Sequence, residues 1–229
     1  MHGIDVWLFD LDGTLVDSSA RFAAAYNSAL AGRDLETVGR GVFDRRLLQG
    51  ALLAELELPA DAHEPFWDAL MSAFVATPGQ SLPIPGVDDA LARLRRQGRR
   101  VAVVTARTCS NDALQRELDE AALAPHIDAC FCIDDALARD RQKRPTKVDL
   151  FAAACDFFRI APRHAAYVSD WPDDLALAHT FGFRFCIGVL TGGYGRDAFR
   201  KAADVFVIDS VAALVPDDGP ALSVTEAAP

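Results

Sequence analysis

Residues 6–18 read Val-Trp-Leu-Phe-Asp-Leu-Asp-Gly-Thr-Leu-Val-Asp-Ser, and this stretch decides the fold. The apolar run at 6–9 predicts a short strand buried on both faces, and the Asp-Gly pair after it predicts a tight turn. Asp10 and Asp12 therefore follow the carboxyl end of a buried strand, where open α/β sheets bind ligands. Two carboxylates there can supply a nucleophile, a metal ligand and a proton donor. The alternative is that they only solvate the turn.

The composition sets the class of protein. The chain has 229 residues, of which 51% are hydrophobic, so it can bury a sizeable core. Its formal net charge of -10 and pI near 4.9 argue against a general affinity for nucleic acid or for anionic membrane surfaces.

The cellular location is predicted from apolar runs and cysteines. No apolar run approaches the roughly 20 residues that span a bilayer, and the first strand begins too early for a secretory signal. The 5 cysteines, an odd number, fit reduced thiols better than a disulfide framework. These features predict a cytoplasmic protein.

The order of helical and strand patterns predicts an α/β core with an insertion. Residues 16–84 carry successive helical patterns with no strand pattern between them, and they are predicted to form a helical cap. The breaker-rich segment 77–86 returns the chain to the core. Helices and strands then alternate as in a parallel sheet, so the core is predicted to comprise 1–15 and 85–215. Residues 216–229 are predicted to be a flexible tail.

The individual elements follow from periodicity and from breaker residues. The cap is predicted to contain helices near 19–30, 42–56 and 61–76. The core is predicted to contain helices at 87–97, 111–122, 148–158 and 174–181, and strands at 101–104, 129–133, 165–168, 183–190 and 205–208. The glycine-rich segment 192–195 is interpreted as a flexible loop after a strand, with phosphate contact as the weaker alternative.

Polar residues follow two later strands at the same predicted edge. Thr105 ends the strand at 101–104, where a phosphate oxygen would need a donor, although β-propensity alone can place a threonine there. Asp170 and Asp174 follow the strand at 165–168, and together with Asp10 they offer the oxygen ligands that Mg²⁺ prefers. Alternatively, Asp174 only favours the start of a helix, which leaves Asp170 unexplained.

A basic segment, Arg-Gln-Lys-Arg-Pro-Thr-Lys at 141–147, precedes the predicted helix at 148–158. A lysine beside a transferring phosphoryl group would neutralise the negative charge that develops in the transition state. Lys147 is preferred over Lys143 for this role. A solvated basic loop is the alternative.

Taken in order, these stretches resemble the four motifs of the haloacid dehalogenase superfamily over about residues 4–215. The nearest branch is that of phosphoglycolate phosphatases and β-phosphoglucomutase-like proteins with a small helical cap. The resemblance implies a Rossmann-like parallel core. It also implies a Mg²⁺ ion held by a set of four carboxylates, Asp10, Asp12, Asp170 and Asp174.

The same resemblance implies a role for each motif residue in phosphoryl transfer. Asp10 would attack phosphorus, and Asp12 would protonate the leaving alcohol and then activate water. Thr105 would bind the phosphoryl group and Lys147 would stabilise its charge. Departures from the family pattern are Ala106-Arg107 after the threonine, where a small polar residue usually follows, and Arg-Pro-Thr-Lys in the basic motif at 144–147. Ser169 also stands where glycine is usual, and Trp171 where a small or polar residue is usual.

The function expected from this resemblance is hydrolysis of a small phosphorylated metabolite, a phosphate monoester. An acid at Asp12 argues against dehalogenation, because a halide needs no proton when it leaves. A phosphomutase and a catalytically weak phosphometabolite- or partner-binding protein are the alternatives. Within the cap, Arg40, Arg45 or Arg46 is predicted to contact the remote group of the substrate, since the arginine fork suits carboxylate or phosphate. The alternative for these three is ordinary surface charge.

Overall fold

The computed structural model describes residues 3–77, 81–133, 145–201 and 204–214. Within these ranges, a six-stranded sheet contains β1 (Val6–Phe9), β4 (Arg100–Val104), β5 (Ala129–Phe131), β6 (Ala165–Ser169), β7 (Phe185–Val189) and β8 (Val205–Ile208). The strands are parallel and run in the order β5-β4-β1-β6-β7-β8. The predicted α/β parallel sheet is therefore confirmed, and β1 lies inside it with β4 and β6 on either side.

Helices cover both faces of this sheet. They are α4 (Val87–Arg96), α5 (Asn111–Glu120), α6 (Lys147–Phe158) and α7 (Pro172–Phe181). Successive side chains of a strand point to opposite faces, so Trp7 and Phe9 pack in one apolar cluster with α4 and α5. Val6 and Leu8 pack in another cluster with α6 and α7. This arrangement explains why the apolar run of β1 is continuous rather than alternating.

The helical cap is inserted directly after β1 and its turn. It contains α1 (Ser19–Ala31), α2 (Arg40–Leu48) and α3 (His63–Ala76), which bury an apolar cluster of their own that includes Tyr26, Phe43 and Phe66. The chain enters and leaves the cap through an antiparallel pair, β2 (Val16–Asp17) and β3 (Leu82–Pro83). The inserted cap is thus confirmed, while its boundaries at 16 and 84 stay a prediction.

The structure differs from the predicted elements inside the cap. The helix predicted over 42–56 is divided, because α2 ends at Leu48 and Gly50 takes a φ of +64°. Glycine adopts this left-handed conformation without strain and so ends helices. A short 3₁₀ turn follows at Ala54–Leu56. The two-residue strands β2 and β3 were not predicted, because they lie among turn and breaker residues.

Two further predictions concern the cysteines and membrane spans. No disulfide joins the five cysteines, all of which lie within the described ranges, and Cys132, Cys155 and Cys186 are buried. Among the helices in the described ranges, none is both long and apolar enough to cross a membrane. The predicted tail at 216–229 lies outside the described residues.

Candidate active site

The turn after β1 holds Asp10 and Asp12 at the carboxyl edge of the sheet. The Asp10 N–H donates to the Val168 carbonyl at 2.8 Å, which continues the sheet pairing, and the Asp10 side chain is buried. Gly13 has a φ of +70°, and a Cβ there would lie 2.5 Å from Asp170 Oδ2. Only glycine fits this turn, because a side chain would be strained and would displace Asp170.

Lys147 joins two of the predicted carboxylates. It is the first residue of α6, where Thr146 and Asp149 form a capping box that fixes the start of the helix. The buried Lys147 Nζ donates to Asp10 Oδ1 at 2.9 Å and to Asp174 Oδ2 at 2.6 Å. Burial alone would lower the pKa of Lys147, but the two carboxylates outweigh burial and raise it, so the side chain is a cation. The other candidate, Lys143, lies outside the described residues.

Asp170 is buried at the end of β6 and is oriented by hydroxyl groups. Thr14 Oγ1 donates to Asp170 Oδ1 at 3.0 Å and accepts from the Asp170 N–H at 3.0 Å. Ser169 Oγ donates to Asp10 Oδ2 at 3.4 Å and accepts from the Trp171 N–H at 3.1 Å. Serine in place of the usual glycine therefore adds a donor to Asp10.

The loop after β7 completes this part of the site. The sequence did not predict that this loop would approach Asp170. A Cβ at Gly192 would lie 1.6 Å from Asp170 Oδ2, so the backbone can approach this carboxylate only at a glycine. Thr191 Oγ1 donates to the Gly13 carbonyl at 2.5 Å and ties the loop to the first turn. The available signal was its position: the loop follows a predicted strand at the same edge as Asp10.

Arg107 binds Asp12, and sequence reasoning missed this pair as well. Arg107 Nε donates to Asp12 Oδ2 at 2.7 Å, and Nη2 donates to Asp12 Oδ1. The third donor, Nη1, bonds Glu117 Oε2 at 2.5 Å. Burial would lower the pKa of Arg107, but these carboxylates outweigh it and raise the pKa. The guanidinium also lies 5.0 Å from the centre of the Phe74 ring in the cap. One buried cation therefore contacts Asp12 and Glu117 of the core and an aromatic ring of the cap.

Thr105 lies at the end of β4, as predicted, and is buried. Its N–H donates to the Phe131 carbonyl at 2.9 Å, and its Oγ1 accepts from the Arg107 N–H at 3.3 Å. Thr105 lines the same cavity as Asp10 and Lys147. The structure thus brings together the predicted core residues Asp10, Asp12, Thr105, Lys147, Asp170 and Asp174.

The carboxylates provide a test of the predicted Mg²⁺ site. Within the described ranges, no three acidic, histidine or cysteine side chains are arranged as a ready metal cluster. The side chains of Asp12 and Asp174 are engaged by neighbouring cations. Burial raises the pKa of Asp10 to about 6 against the opposing effect of Lys147.

Burial, with the nearby charge of Asp10, also raises the pKa of Asp170 well above its ordinary value. Two buried carboxylates that repel each other suit a divalent cation, which would neutralise both. Mg²⁺ usually takes one or two carboxylates together with waters. The donor set therefore suits Mg²⁺ through Asp10 and Asp170. The full set that adds Asp12 and Asp174 stays a prediction.

A cavity of about 630 Å³ separates this edge of the core from the cap. Its cap wall is largely apolar and includes Phe22, Leu47, Trp67, Met71 and Phe74. Trp171 faces this wall from the core, with its ring 6.2 Å from the ring of Trp67 and 5.0 Å from that of Tyr194. The cavity thus has a charged end and an apolar end.

The cap arginines predicted to contact substrate do not line this cavity. Arg40 Nε bonds Asp44 Oδ1 at 2.7 Å. Arg46 bonds Glu55 Oε2 at 2.8 Å, and Arg45 lies 3.8 Å from the same oxygen. These guanidinium groups are directed to carboxylates of the cap itself, and their contact with substrate stays a prediction.

Comparison with known proteins shows the family. Residues 4–182 match the family model described as haloacid dehalogenase-like hydrolase. A phosphoglycolate phosphatase of Caulobacter vibrioides is 32% identical over 218 residues, which cover 88% of this chain and 85% of that protein. A phosphoglycolate phosphatase of Agrobacterium fabrum is 29% identical over 218 residues, covering 91% and 90%.

Solved structures agree in fold. A haloacid dehalogenase-like family hydrolase of Streptococcus pneumoniae superposes with a TM-score of 0.69 at 19% identity, covering 90% of this chain and 95% of that one. CbbY of Rhodobacter sphaeroides, solved with phosphate, gives a TM-score of 0.62 at 24% identity, covering 92% and 96%. With the family model matching most of its length, the chain belongs to the haloacid dehalogenase-like hydrolases.

Proposed function

We propose that this hydrolase is a Mg²⁺-dependent phosphatase that cleaves a small phosphate monoester through an aspartyl phosphate on Asp10. One observation carries the proposal: a buried Asp10 bonded by Lys147 stands at a cavity that Asp12 and Thr105 also line. Relatives named phosphoglycolate phosphatase support the phosphatase class, at 29% and 32% identity.

In the first step, an Asp10 carboxylate oxygen attacks phosphorus and the ester P–O bond breaks. The leaving alcohol oxygen takes its proton from Asp12. Lys147 is bonded to Asp10 and so places a positive charge beside the transferring group. Thr105 Oγ1 accepts a hydrogen bond from the Arg107 N–H, and a hydroxyl that accepts can also donate its hydrogen, here to a phosphoryl oxygen.

In the second step, Asp12 takes a proton from water, the water oxygen attacks phosphorus, and inorganic phosphate leaves with Asp10 regenerated. The two Arg107 hydrogen bonds hold the Asp12 side chain in place at this edge of the sheet. The proton that Asp12 takes from water in the second step replaces the one that it gives to the leaving alcohol in the first.

Asp10 and Asp170 are the side chains that would hold Mg²⁺. When bound, the ion supplies Lewis-acid stabilisation of negative charge on the phosphoryl oxygens. The buried carboxylates of this chain then carry less uncompensated charge.

The test is phosphate release from p-nitrophenyl phosphate and from a set of phosphorylated metabolites. Activity with Mg²⁺, its loss in excess chelator and its recovery when Mg²⁺ is restored are expected. Full turnover in excess chelator would contradict the metal assignment. Conversion of a sugar phosphate to its isomer without phosphate release would favour a phosphomutase instead, and binding without turnover would favour a binding protein.

A further inference from the structure

The apolar end of the cavity points to a kind of leaving group. Rings from both domains face it, Phe22, Trp67 and Phe74 from the cap and Trp171 from the core. Trp67 and Trp171 are in ring contact across the two domains, with centroids 6.2 Å apart and planes tilted by 55°. A group attached to phosphorus at Asp10 would therefore extend along these aromatic surfaces.

The charges around the cavity argue against a second anionic group. Among the described side chains that line it, six are carboxylates and the cations are Lys147 and Arg107. Lys147 bonds Asp10 and Asp174. Arg107 is likewise committed to two carboxylates of the core. Asp68 of the cap is one of these six carboxylates, and the described cap side chains that line the cavity include no cation, so a remote carboxylate of a substrate would meet an acidic and apolar wall.

The size of the cavity also exceeds what a phosphorylated two-carbon acid fills. A volume of about 630 Å³ lies within the range that accommodates drug-sized ligands. Space lined by aromatic rings is most favourably filled by apolar atoms, because burial of these atoms removes them from water.

From this lining we infer that the leaving group is an uncharged apolar group of aryl size, which binds against the Trp67 and Trp171 rings at the apolar end of the cavity. The inference rests on the proposed phosphatase function and names its class of substrate. It separates this chain from relatives named for phosphoglycolate, whose leaving group carries a carboxylate.

The test compares esters of primary alcohols, namely 2-phenylethyl phosphate, ethyl phosphate and 2-phosphoglycolate, with kcat/KM from phosphate release. Burial of a phenyl group should make kcat/KM for the phenylethyl ester about 10- to 100-fold higher than for the ethyl ester. It should exceed that for phosphoglycolate by at least as much. Equal values for the phenylethyl and ethyl esters, or a preference for phosphoglycolate, would overturn the inference.

Variants locate the effect in the cap wall. Trp67→Ala should reduce the phenylethyl-to-ethyl ratio to about threefold or less. Met71→Arg adds a cation to the same wall and should shift preference toward phosphoglycolate. Phe157→Ala is the matched control, because this aromatic side chain is 60% exposed on α6 and does not line the cavity. An unchanged ratio in both cap variants would overturn the inference even if the parent preference is as expected.

The activated ester p-nitrophenyl phosphate tests the phosphatase function separately from the preference for an apolar leaving group. Phosphate release from it, combined with a preference for phosphoglycolate, overturns the apolar leaving group and leaves the phosphatase function standing. If no phosphate is released from this ester or from any other, the phosphatase function is overturned and the inference falls with it.

Discussion

The carboxyl edge of the sheet and the cap wall opposite are built from different interactions. At the edge, Lys147 and Arg107 are each bonded to two carboxylates, and Gly13 and Gly192 allow backbone to approach Asp170 closely. On the cap wall, ring contacts such as that of Trp67 predominate. Under the proposed function, reactivity would depend on single atoms held by the sheet, whereas selectivity would depend on the apolar area offered by the cap helices.

The largest expected effect is at Asp10. Asp10→Asn keeps the shape but removes the attacking charge, so kcat should fall to about 10⁻³ of the parent value or less. Phosphate release from p-nitrophenyl phosphate measures it, with Asp5→Asn as control because Asp5 is exposed just before β1. A parent-like rate in Asp10→Asn would mean that the edge is not the reactive region.

The second-largest effect is expected for Arg107→Ala, which should lower the free energy of unfolding because the Asp12 and Glu117 carboxylates lose their shared cation. Loss of one partner of a buried ion pair costs about 3 kcal/mol of unfolding free energy, at the low end of the usual range because Asp12 is partly exposed. Urea unfolding measures this, and Arg116→Ala, exposed on α5, is the control. Equal stability of the two variants would show that the network does not hold the edge together.

Gly192→Ala tests the close approach of backbone to Asp170. The added Cβ would overlap Asp170 Oδ2, so overpacking should lower the free energy of unfolding by about 1–3 kcal/mol. Displacement of Asp170 should also raise the Mg²⁺ concentration needed for half-maximal activity. Gly195→Ala is the control in the same loop, because its Cβ would meet only Leu48, at an ordinary 3.5 Å. If both variants behave alike, the loop does not shape the site.

The smallest effect concerns pH and Glu117. Burial would raise its pKa, but the hydrogen bond and charge of Arg107 outweigh burial and lower it below the ordinary 4.5. A lowered folded-state pKa gives stability that is present above pH 4.5 and is lost as pH falls through the folded-state value. Glu117→Gln should therefore lose about 1 kcal/mol at pH 7 and show a shallower decline in unfolding free energy below pH 4.5.

The control for this measurement is Glu120→Gln, since Glu120 is exposed on the same helix. Its unfolding free energy should follow the parent at each pH. A parent-like pH profile for Glu117→Gln would show that the Arg107 pair does not perturb this carboxyl.

The fold and the charged motif residues were predictable because each depends on local pattern. A buried strand followed by Asp-Gly places Asp10 and Asp12 at a sheet edge, and parallel strands bring Thr105 and Asp170 to the same edge. Lys147 was predictable from its place just before a helix.

The rest depends on contacts between residues distant in sequence. Arg107 and Asp12 are 95 residues apart, so no local pattern pairs them. Gly192 is required by the backbone path beside Asp170, and a glycine in a loop carries no mark of that approach. The partners of the cap arginines were not predictable, because side-chain type suggested an anion but could not say that the cap supplies its own carboxylates.

The central claim is that Asp10 becomes phosphorylated, and the intact mass of an acid-quenched variant tests it most directly. Asp12→Ala withdraws general acid and base help, typically about 10² to 10⁴ in rate, while Asp10 can still attack an aryl phosphate with a good leaving group. Rapid quenching of this variant with p-nitrophenyl phosphate and Mg²⁺ should show the mass of one added phosphoryl group. The double variant that also carries Asp10→Asn should show none. A phosphoryl adduct that persists in the double variant, or parent-rate hydrolysis by Asp10→Asn with no adduct in either, would contradict the account.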